Sequence, residues 1–412
     1  MNRFLQLLAF LVIPGLSAAT PLIAIPAITA TAGAPGWEAY ALGLSIGSAG
    51  GVIVELGWSL MGPQRVAAEA PGRRWVTLVS SVRTRLIALV VVAPVATVVA
   101  MLLAGNARSE HVATAGLMAL ACVAVGLSGS WYFVGTGHPL RILASEALPR
   151  TLLIIVASVA VVAGAPLVVI PASYLLAAIF SPAASLLLAR RDREFAARFT
   201  LRQDFGVIRE QFAAVGVRSI AALYMALPIA LVGAFAPAAL AMFAAAERLM
   251  RMGLTLLQAV PNVLQNWLGS ARSRDERRER ATRSILLCGG LGIVAGAVFT
   301  VATPVVTPLL FTGTVSVPWH VAALGGVVVF LVCVSRATGG LALVAYRRVP
   351  WLTLSTAVAA VVGLPAICLL AVVAGAPGAF LGEILAELTA ITVQLWGLRS
   401  AIRAERTEDD PS

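Results

Sequence analysis

Residues 86–105 read LIALVVVAPVATVVAMLLAG, a run of twenty residues without one charged side chain. A helix of that length rises about 30 Å, which matches the hydrocarbon core of a bilayer. The run therefore predicts a membrane-spanning helix. The rest of the chain has the same character, because 59% of the 412 residues are hydrophobic and only 12% are charged. A soluble domain needs about twice that charged fraction, so the composition excludes most soluble enzymes and nucleic-acid binders.

Apolar segments of helix length recur along the chain and predict an all-α polytopic membrane protein with twelve transmembrane helices in two six-helix lobes. The predicted spans are residues 4–31, 37–62, 86–105, 112–135, 149–164, 167–189, 212–234, 237–266, 284–311, 318–345, 351–373 and 378–398. The predicted domains are an N-terminal lobe (1–189), a cytoplasmic amphipathic linker (190–211), a C-terminal lobe (212–398) and a cytoplasmic tail (399–412).

Basic residues are distributed very unevenly between the two sides of this predicted bundle. All 30 are arginines, and 25 of them fall on one side if the spans alternate as predicted. Arg108 lies on the other side, and four arginines lie inside spans. Cytoplasmic loops carry the excess of positive charge, so this distribution predicts that both termini are cytoplasmic. The predicted location is the bacterial cytoplasmic membrane, with the lipid bilayer as surroundings and no nucleic acid as partner.

Connections on the predicted outer side are very short and share one motif. Residues 32–36 and 374–378 both read AGAPG, and residues 163–166 read AGAP. Glycine ends a helix and proline begins the next one, so each motif predicts a tight turn between two spans.

Side chains that support catalysis or metal binding are sparse. The four cysteines lie in apolar runs without CxxC spacing, and the three histidines lie at predicted helix ends. The outer loops are too short for a catalytic constellation, and the inner loops lack a glycine-rich phosphate loop. The sequence therefore predicts no catalytic residues, no metal, no cofactor and no enzymatic activity.

Ionisable residues inside the spans are the informative exceptions, since a charge at the bilayer centre costs about 2.5–3.5 kcal/mol even on the mildest scale. Such residues normally face a cavity or a partner. Four arginines are candidates for binding an anionic substrate, and four glutamates are candidates for coupling or charge balance. The arginines are Arg248, Arg218, Arg336 and Arg251, and the glutamates are Glu383, Glu387, Glu247 and Glu55.

Arg248 is the strongest of these candidates. Glu247 precedes Arg251 by four residues, so the two are expected to pair along one helix face. Arg248 is rotated about 100° away from Glu247 on that helix and has no local partner. Guanidinium groups match the geometry of phosphate, so the predicted substrate is an anion, whose identity the ionisable residues alone leave open.

Three segments resemble Wzx-type polysaccharide flippases, which belong to the multidrug/oligosaccharidyl-lipid/polysaccharide exporter superfamily. The first is Ser130–Arg141, SWYFVGTGHPLR, which resembles the end of their fourth helix. The second is Tyr40–Ala67, which opens with YALGLSIGS and closes with ELGWSLMGPQRVA. The third is Ala244–Pro261, AAAERLMRMGLTLLQAVP, which is similar to their eighth helix and includes the Ala-Glu-Arg triplet.

This resemblance implies a fold of two six-helix lobes that alternate access to a central cavity. It also implies that the cargo is a polyprenyl-diphosphate-linked oligosaccharide, flipped across the cytoplasmic membrane for cell-surface polysaccharide export. A polysaccharide polymerase or glycosyltransferases would then be partners. Arg248, with Arg218 and Arg336, is expected to pair with the diphosphate.

Other functions remain open at this point. A cation-coupled drug or metabolite exporter of the same superfamily is the main alternative, although a cavity richer in arginine than in carboxylate argues against cationic cargo. A non-transporting membrane scaffold of polysaccharide assembly is another. A peptidoglycan-precursor flippase would have two more helices, a membrane-embedded glycosyltransferase or polymerase would have a large outer loop, and a major-facilitator permease would carry a Gly-Asp-Arg signature.

Overall fold

A computed structural model of the chain describes residues 3–105, 108–190, 206, 227–271 and 273–407. Every regular element among these residues is helical, and none of them forms a strand. Packing divides the chain into two compact units. The first unit is Met1–Ala230 with Leu310–Thr314, and the second is Leu231–Leu309 with Val315–Ser412.

Helices of the first unit follow the predicted apolar runs, with short breaks inside some of them. They are α1 (Arg3–Glu55), α2 (Trp58–Ala68), α3 (Pro71–Leu103), α4 (Ser109–Val125), α5 (Ser130–Gly135), α6 (Pro139–Ile142), α7 (Leu148–Val162) and α8 (Val169–Ala189). A π-helical turn, Leu143–Ala147, joins α6 to α7.

The second unit begins within a helical stretch at 227–235, which a short 3₁₀ turn, Pro237–Ala239, connects to the longer helices. These are α9 (Leu240–Leu257), α10 (Ala259–Gly269), α11 (Arg274–Leu310), α12 (Trp319–Ser335) and α13 (Val349–Thr407). A π-helical segment, Arg336–Leu343, continues α12.

Glycine breaks the two longest helices at the predicted AGAPG turns. Gly33 in α1 has φ 64° and Gly375 in α13 has φ 63°, so each of these helices is two helices joined at a break. Gly164, in the third copy of the motif, has φ 102° and separates α7 from α8. Only glycine adopts such angles without steric cost. The predicted role of these motifs as helix terminators is confirmed.

Seven helices of the described residues are long and apolar enough to cross a membrane, judged by length and composition. One of them, Val349–Arg403, contains two predicted spans, so the seven account for eight of the predicted twelve. The four remaining predicted spans fall on the two halves of α1, on α9 with α10, and on residues 212–234, which are described only from residue 227. The chain is thus an all-α polytopic membrane protein. The predicted lobe boundaries stay a prediction, since most of the 190–211 linker lies outside the described residues.

Close packing of α1 on α4 depends on three glycines spaced four residues apart. A Cβ atom at Gly47 would lie 2.5 Å from the carbonyl oxygen of Ala119, and one at Gly51 would lie 2.8 Å from that of Cys122. Gly43 faces the carbonyl of Ala115 in the same way. Small residues at such spacing let the backbones of membrane helices approach closely. This contact forms the centre of the first unit.

Candidate functional site

An ion pair on α9 forms the centre of a charged cluster in the second unit. The Nε atom of Arg251 lies 2.6 Å from Oε1 of Glu247, one helical turn earlier. Glu247 is 2% exposed, whereas the side chain of Arg251 is 28% exposed. The pairing expected from their spacing is therefore observed, and Arg251 is neutralised within its own helix.

Two glutamates of α13 join this cluster from the facing helix. Oε1 of Glu383 lies 3.7 Å from the Nη2 atom of Arg251, and the residue is 4% exposed. Neither carboxylate oxygen of Glu383 has a hydrogen-bond partner among the described residues, and neither does Oε2 of Glu247. One turn along α13, Glu387 accepts a hydrogen bond from the hydroxyl of Ser335. Three buried carboxylate oxygens in one place thus accept no hydrogen bond from the described residues, which is rare in folded proteins.

Arg336 lies at the end of α12 and reaches the broken eighth span. Its Nη1 atom donates a hydrogen bond to the carbonyl oxygen of Leu254 at 2.8 Å. The helix α9 ends at Leu257, so carbonyl groups in its last turn lack helical partners. Arg336 also interacts electrostatically with Glu387. Arg336 therefore has a direct structural role inside the span, because it caps the end of α9.

Arg248 differs from its neighbours because none of the described residues pairs with it. Its side chain is half-buried, and its Nε atom is fully buried without a hydrogen-bond partner. The residue lies on α9 directly after Glu247, on a different face from the ion pair. Of the three described candidate arginines, Arg248 alone has a buried guanidinium nitrogen without a hydrogen-bond partner among the described residues.

Of the two remaining candidates, only Glu55 can be placed. Arg218 lies outside the described residues. Glu55 lies in the first unit at the end of α1, where its Oε1 atom accepts a hydrogen bond from the backbone N–H of Ser59 at 3.1 Å. This bond caps the first turn of α2. Glu55 therefore has a local structural role.

Charge balance in the second-unit cluster differs from the sequence expectation of surplus positive charge at depth. The described residues bring together three carboxylates and two guanidinium groups, so their formal charge is −1. These residues are Glu247, Arg251, Arg336, Glu383 and Glu387. The functional roles assigned to them remain predictions.

Sequence reasoning missed a second buried arginine, Arg85 of α3, and counted it among the inner-side arginines. The side chain is 0% exposed. Its Nη1 atom donates to the carbonyl oxygens of Gly126 at 3.1 Å and Ser128 at 2.6 Å, and its Nε donates to that of Ser81 at 3.0 Å. Arg85 thus satisfies the end of α4, as Arg336 does for α9. No signal in the sequence separates it from the neighbouring exposed arginines.

A small polar pocket in the first unit was also unforeseen. Glu146, in the π-helical turn, accepts a hydrogen bond from the hydroxyl of Ser128 and lies 3.5 Å from Arg150. The same pocket is lined by Ser181, whose hydroxyl is buried without a partner among the described residues. π-Helical turns occur frequently at functional sites. Glu146 is therefore a candidate functional residue. The sequence analysis overlooks it because it is flanked by arginines of the inner side.

Metal binding has no candidate within the described ranges. No group of three or more His, Cys, Asp or Glu side chains that could hold a metal ion occurs among those residues. Cys122, Cys288 and Cys333 are buried and Cys368 is partly buried, all as free thiols.

Comparisons with known proteins identify the fold and not the cargo. No protein-family model matches the sequence, and no curated protein sequence matches it. Several solved structures do match the fold of this chain. An inward-facing multidrug resistance MATE family transporter of the MOP superfamily aligns with a TM-score of 0.63 and 15% identity over 96% of this chain and 95% of that one.

Two further solved structures are similar along their length. A Vibrio cholerae MATE transporter aligns with a TM-score of 0.54 and 15% identity, covering 97% of this chain and 96% of the other. A MOP superfamily transporter from Pyrococcus furiosus, described as having a binding pocket of reverse polarity, aligns with a TM-score of 0.52 and 16% identity over 97% and 92%. The chain is therefore a multi-pass membrane protein with the fold of the MATE transporters of the MOP superfamily.

Proposed function

We propose that this protein exports a polyprenyl-diphosphate-linked oligosaccharide across the bacterial cytoplasmic membrane by alternating access. The fold supports transport, because the solved structures that it resembles are transporters. Supporting the anionic cargo is the resemblance of three sequence segments to polysaccharide flippases. In this proposal the protein works beside the polymerase or glycosyltransferases that make and use the lipid-linked glycan.

One observation carries the choice of a phosphate-bearing cargo. Arg248 has a buried Nε atom without a partner among the described residues, while Arg251 and Arg336 beside it are satisfied by Glu247 and by a backbone carbonyl. A buried guanidinium nitrogen without a partner is costly, so its retention favours a ligand that pairs with it. A diphosphate supplies planar acceptor oxygens for a bidentate contact.

The contacts of the charged cluster also support roles for its members. Arg251 is held by two glutamates and is a weaker ligand for the cargo than Arg248. Glu383, Glu387 and Glu247 neutralise the neighbouring arginines and are the candidates for coupling transport to a cation. Glu55 and Arg218 stay secondary candidates, the first because it caps α2 and the second because it lies outside the described residues.

A binding titration tests the role of Arg248. The detergent-solubilised protein is titrated with geranylgeranyl diphosphate, a short polyprenyl diphosphate, and with geranylgeraniol as the uncharged reference. We expect the diphosphate to bind more tightly than the alcohol, and Arg248→Ala to remove most of this preference. Arg248→Lys should keep part of it, because an ammonium retains the charge and loses the bidentate geometry.

A transport assay tests whether the protein moves the cargo from one leaflet to the other. The full chain is reconstituted in vesicles that carry a fluorescent polyprenyl-diphosphate disaccharide, and the dye in the outer leaflet is bleached by dithionite. We expect Arg248→Ala to abolish flipping and Arg283→Ala, an exposed arginine of α11, to preserve it. Full flipping by Arg248→Ala, or equal binding of diphosphate and alcohol, would contradict the proposal.

A cation-coupled exporter of drugs or metabolites is the second candidate, and a specific observation favours it. Three buried carboxylate oxygens of Glu247 and Glu383 have no hydrogen-bond partner among the described residues, and such oxygens also suit a cationic substrate. Transporters of this fold accommodate pockets of different polarity, as the Pyrococcus furiosus neighbour suggests. In the same vesicles, ethidium uptake that is lost in Glu383→Gln, without diphosphate binding, would favour this function. Absence of both activities would favour a non-transporting scaffold.

A further inference from the structure

The turn between α12 and α13 projects two adjacent arginines from the inner end of the second unit. Backbone bonds from Arg347 N to Val344 O at 3.0 Å and from Arg348 N to Leu343 O at 2.8 Å close the turn. Arg347 adopts φ 56°, which a non-glycine residue rarely does. Both arginine side chains are exposed. The turn therefore presents two consecutive guanidinium groups at the end where the charge distribution places the cytoplasm.

Two tryptophans lie beside this turn, one from each half of α13. The rings of Trp351 and Trp396 meet at a centroid distance of 5.5 Å and an angle of 64°. Gly397 permits the contact, since a Cβ atom there would lie 2.7 Å from the Trp351 ring. Trp396 is nevertheless 67% exposed. An exposed tryptophan at the end of a span lies at the level of the lipid headgroups, where its ring is amphipathic enough to be stable.

Arg399 completes the group. It follows Trp396 by three residues, is therefore on the same face of α13, and is exposed. Other arginines of the inner side each pair with a glutamate four residues away, namely Arg65, Arg280 and Arg283.

Arg347, Arg348 and Arg399 form no ion pair with any acid of the described residues. We call Arg347, Arg348, Trp351, Trp396 and Arg399 the Arg–Trp patch.

We propose that the Arg–Trp patch binds the headgroup of an anionic phospholipid of the inner leaflet. Three unpaired guanidinium groups complement a phosphodiester, which accepts bidentate hydrogen bonds. The tryptophan pair gives the glycerol region an amphipathic surface, and the exposed Leu388 and Leu395 of α13 continue it toward the acyl chains. Each arginine near an anionic leaflet adds about a fivefold preference, so three together give roughly a hundredfold. This inference does not depend on the cargo.

Fluorescence quenching by brominated lipids tests the proposal. The full chain is reconstituted in phosphatidylcholine vesicles that contain either phosphatidylglycerol or phosphatidylcholine with brominated acyl chains, and tryptophan emission is recorded. The difference between the wild type and Trp396→Phe isolates the signal of Trp396. We expect this signal to be quenched at a far lower fraction of brominated phosphatidylglycerol than of brominated phosphatidylcholine. Equal quenching by the two lipids would overturn the proposal.

A charge-matched pair of variants separates a specific patch from general basicity. Combining Arg347→Ala, Arg348→Ala and Arg399→Ala should abolish the preference for phosphatidylglycerol. A control variant combines Arg73→Ala, Arg278→Ala and Arg283→Ala, which remove the same net charge from other exposed arginines of the inner side. This variant should keep the preference. Equal loss in both variants would overturn the assignment to this patch.

A soluble competitor distinguishes the source of the phosphate. Millimolar glycerol 3-phosphate carries the same anionic group without acyl chains. We expect it to leave the quenching of Trp396 unchanged, because the lipid is held in the leaflet. Full displacement by glycerol 3-phosphate would show a site for a free phosphate ester and overturn the assignment to a lipid.

Discussion

Replacing Arg85 by alanine should cost the first unit a large part of its stability. The side chain is fully buried and donates to two carbonyl groups, of Gly126 and Ser128, that lie beyond the end of α4. The third acceptor, the carbonyl of Ser81, lies inside α3 and keeps its helical partner. One buried and one partly buried acceptor are thus left unsatisfied, at about 1–3 kcal/mol each, so we expect a loss of about 2–6 kcal/mol in the free energy of unfolding.

Unfolding in mixed micelles with increasing SDS, followed by tryptophan fluorescence, measures this loss. Trp58 and Trp131 pack at a centroid distance of 5.0 Å in the same unit and report on it. Arg73→Ala is the matched control, because Arg73 begins the same helix and is exposed, so its loss should stay within about 0.5 kcal/mol. The loss of unfolding free energy in Arg85→Lys should fall between those of Arg85→Ala and Arg73→Ala. A difference below about 1 kcal/mol between Arg85→Ala and the control would refute the reasoning.

Three further changes probe other features. Glu247→Gln should release Arg251 from its ion pair with this residue and remove one negative charge from the cluster, so that geranylgeranyl diphosphate binds about fivefold more tightly in the titration above; weaker binding would contradict an anionic cargo. Gly47→Val should lower the free energy of unfolding by about 1–3 kcal/mol through a clash with a carbonyl of α4, whereas Gly289→Val, which meets nothing within 4 Å, should raise it by a few tenths of a kcal/mol because valine has the higher helix propensity. Gly375→Ala should cost about 1–2 kcal/mol, because alanine is strained at φ 63°; a neutral result in the same unfolding assay would show that the turn relaxes.

Local features of this fold could be predicted from the sequence because they depend on nearby residues. Apolar runs of span length predict helices whatever they pack against. The breaks at Gly33 and Gly375 follow from the backbone angles that glycine alone adopts easily. The pair of Glu247 and Arg251 follows from four-residue spacing on one helix.

Features that depend on distant residues could not be predicted in this way. Glu383 meets Arg251 only because α13 packs near α9. Arg85 resembles an inner-side arginine in the sequence, and its burial depends on carbonyl groups freed by a break in another helix. Arg336 was assigned to the cargo for its depth, but its contact with Leu254 gives it a capping role that depth alone does not reveal. Polar groups inside a bilayer need partners, and the identity of the partner is a tertiary property.

The break at Gly375 has a consequence for how the protein enters the membrane during synthesis. The two halves of α13 are joined at a break centred on one residue, so we expect them to enter the bilayer together as a helical hairpin. The second half carries Glu383 and Glu387, each of which opposes partitioning into lipid by about 2.5–3.5 kcal/mol. The strongly apolar first half is attached to it and can offset that opposition, so a weakly hydrophobic helix is delivered to the bilayer by its neighbour. Lengthening the turn should therefore impair insertion of the last helix before it affects any transport step.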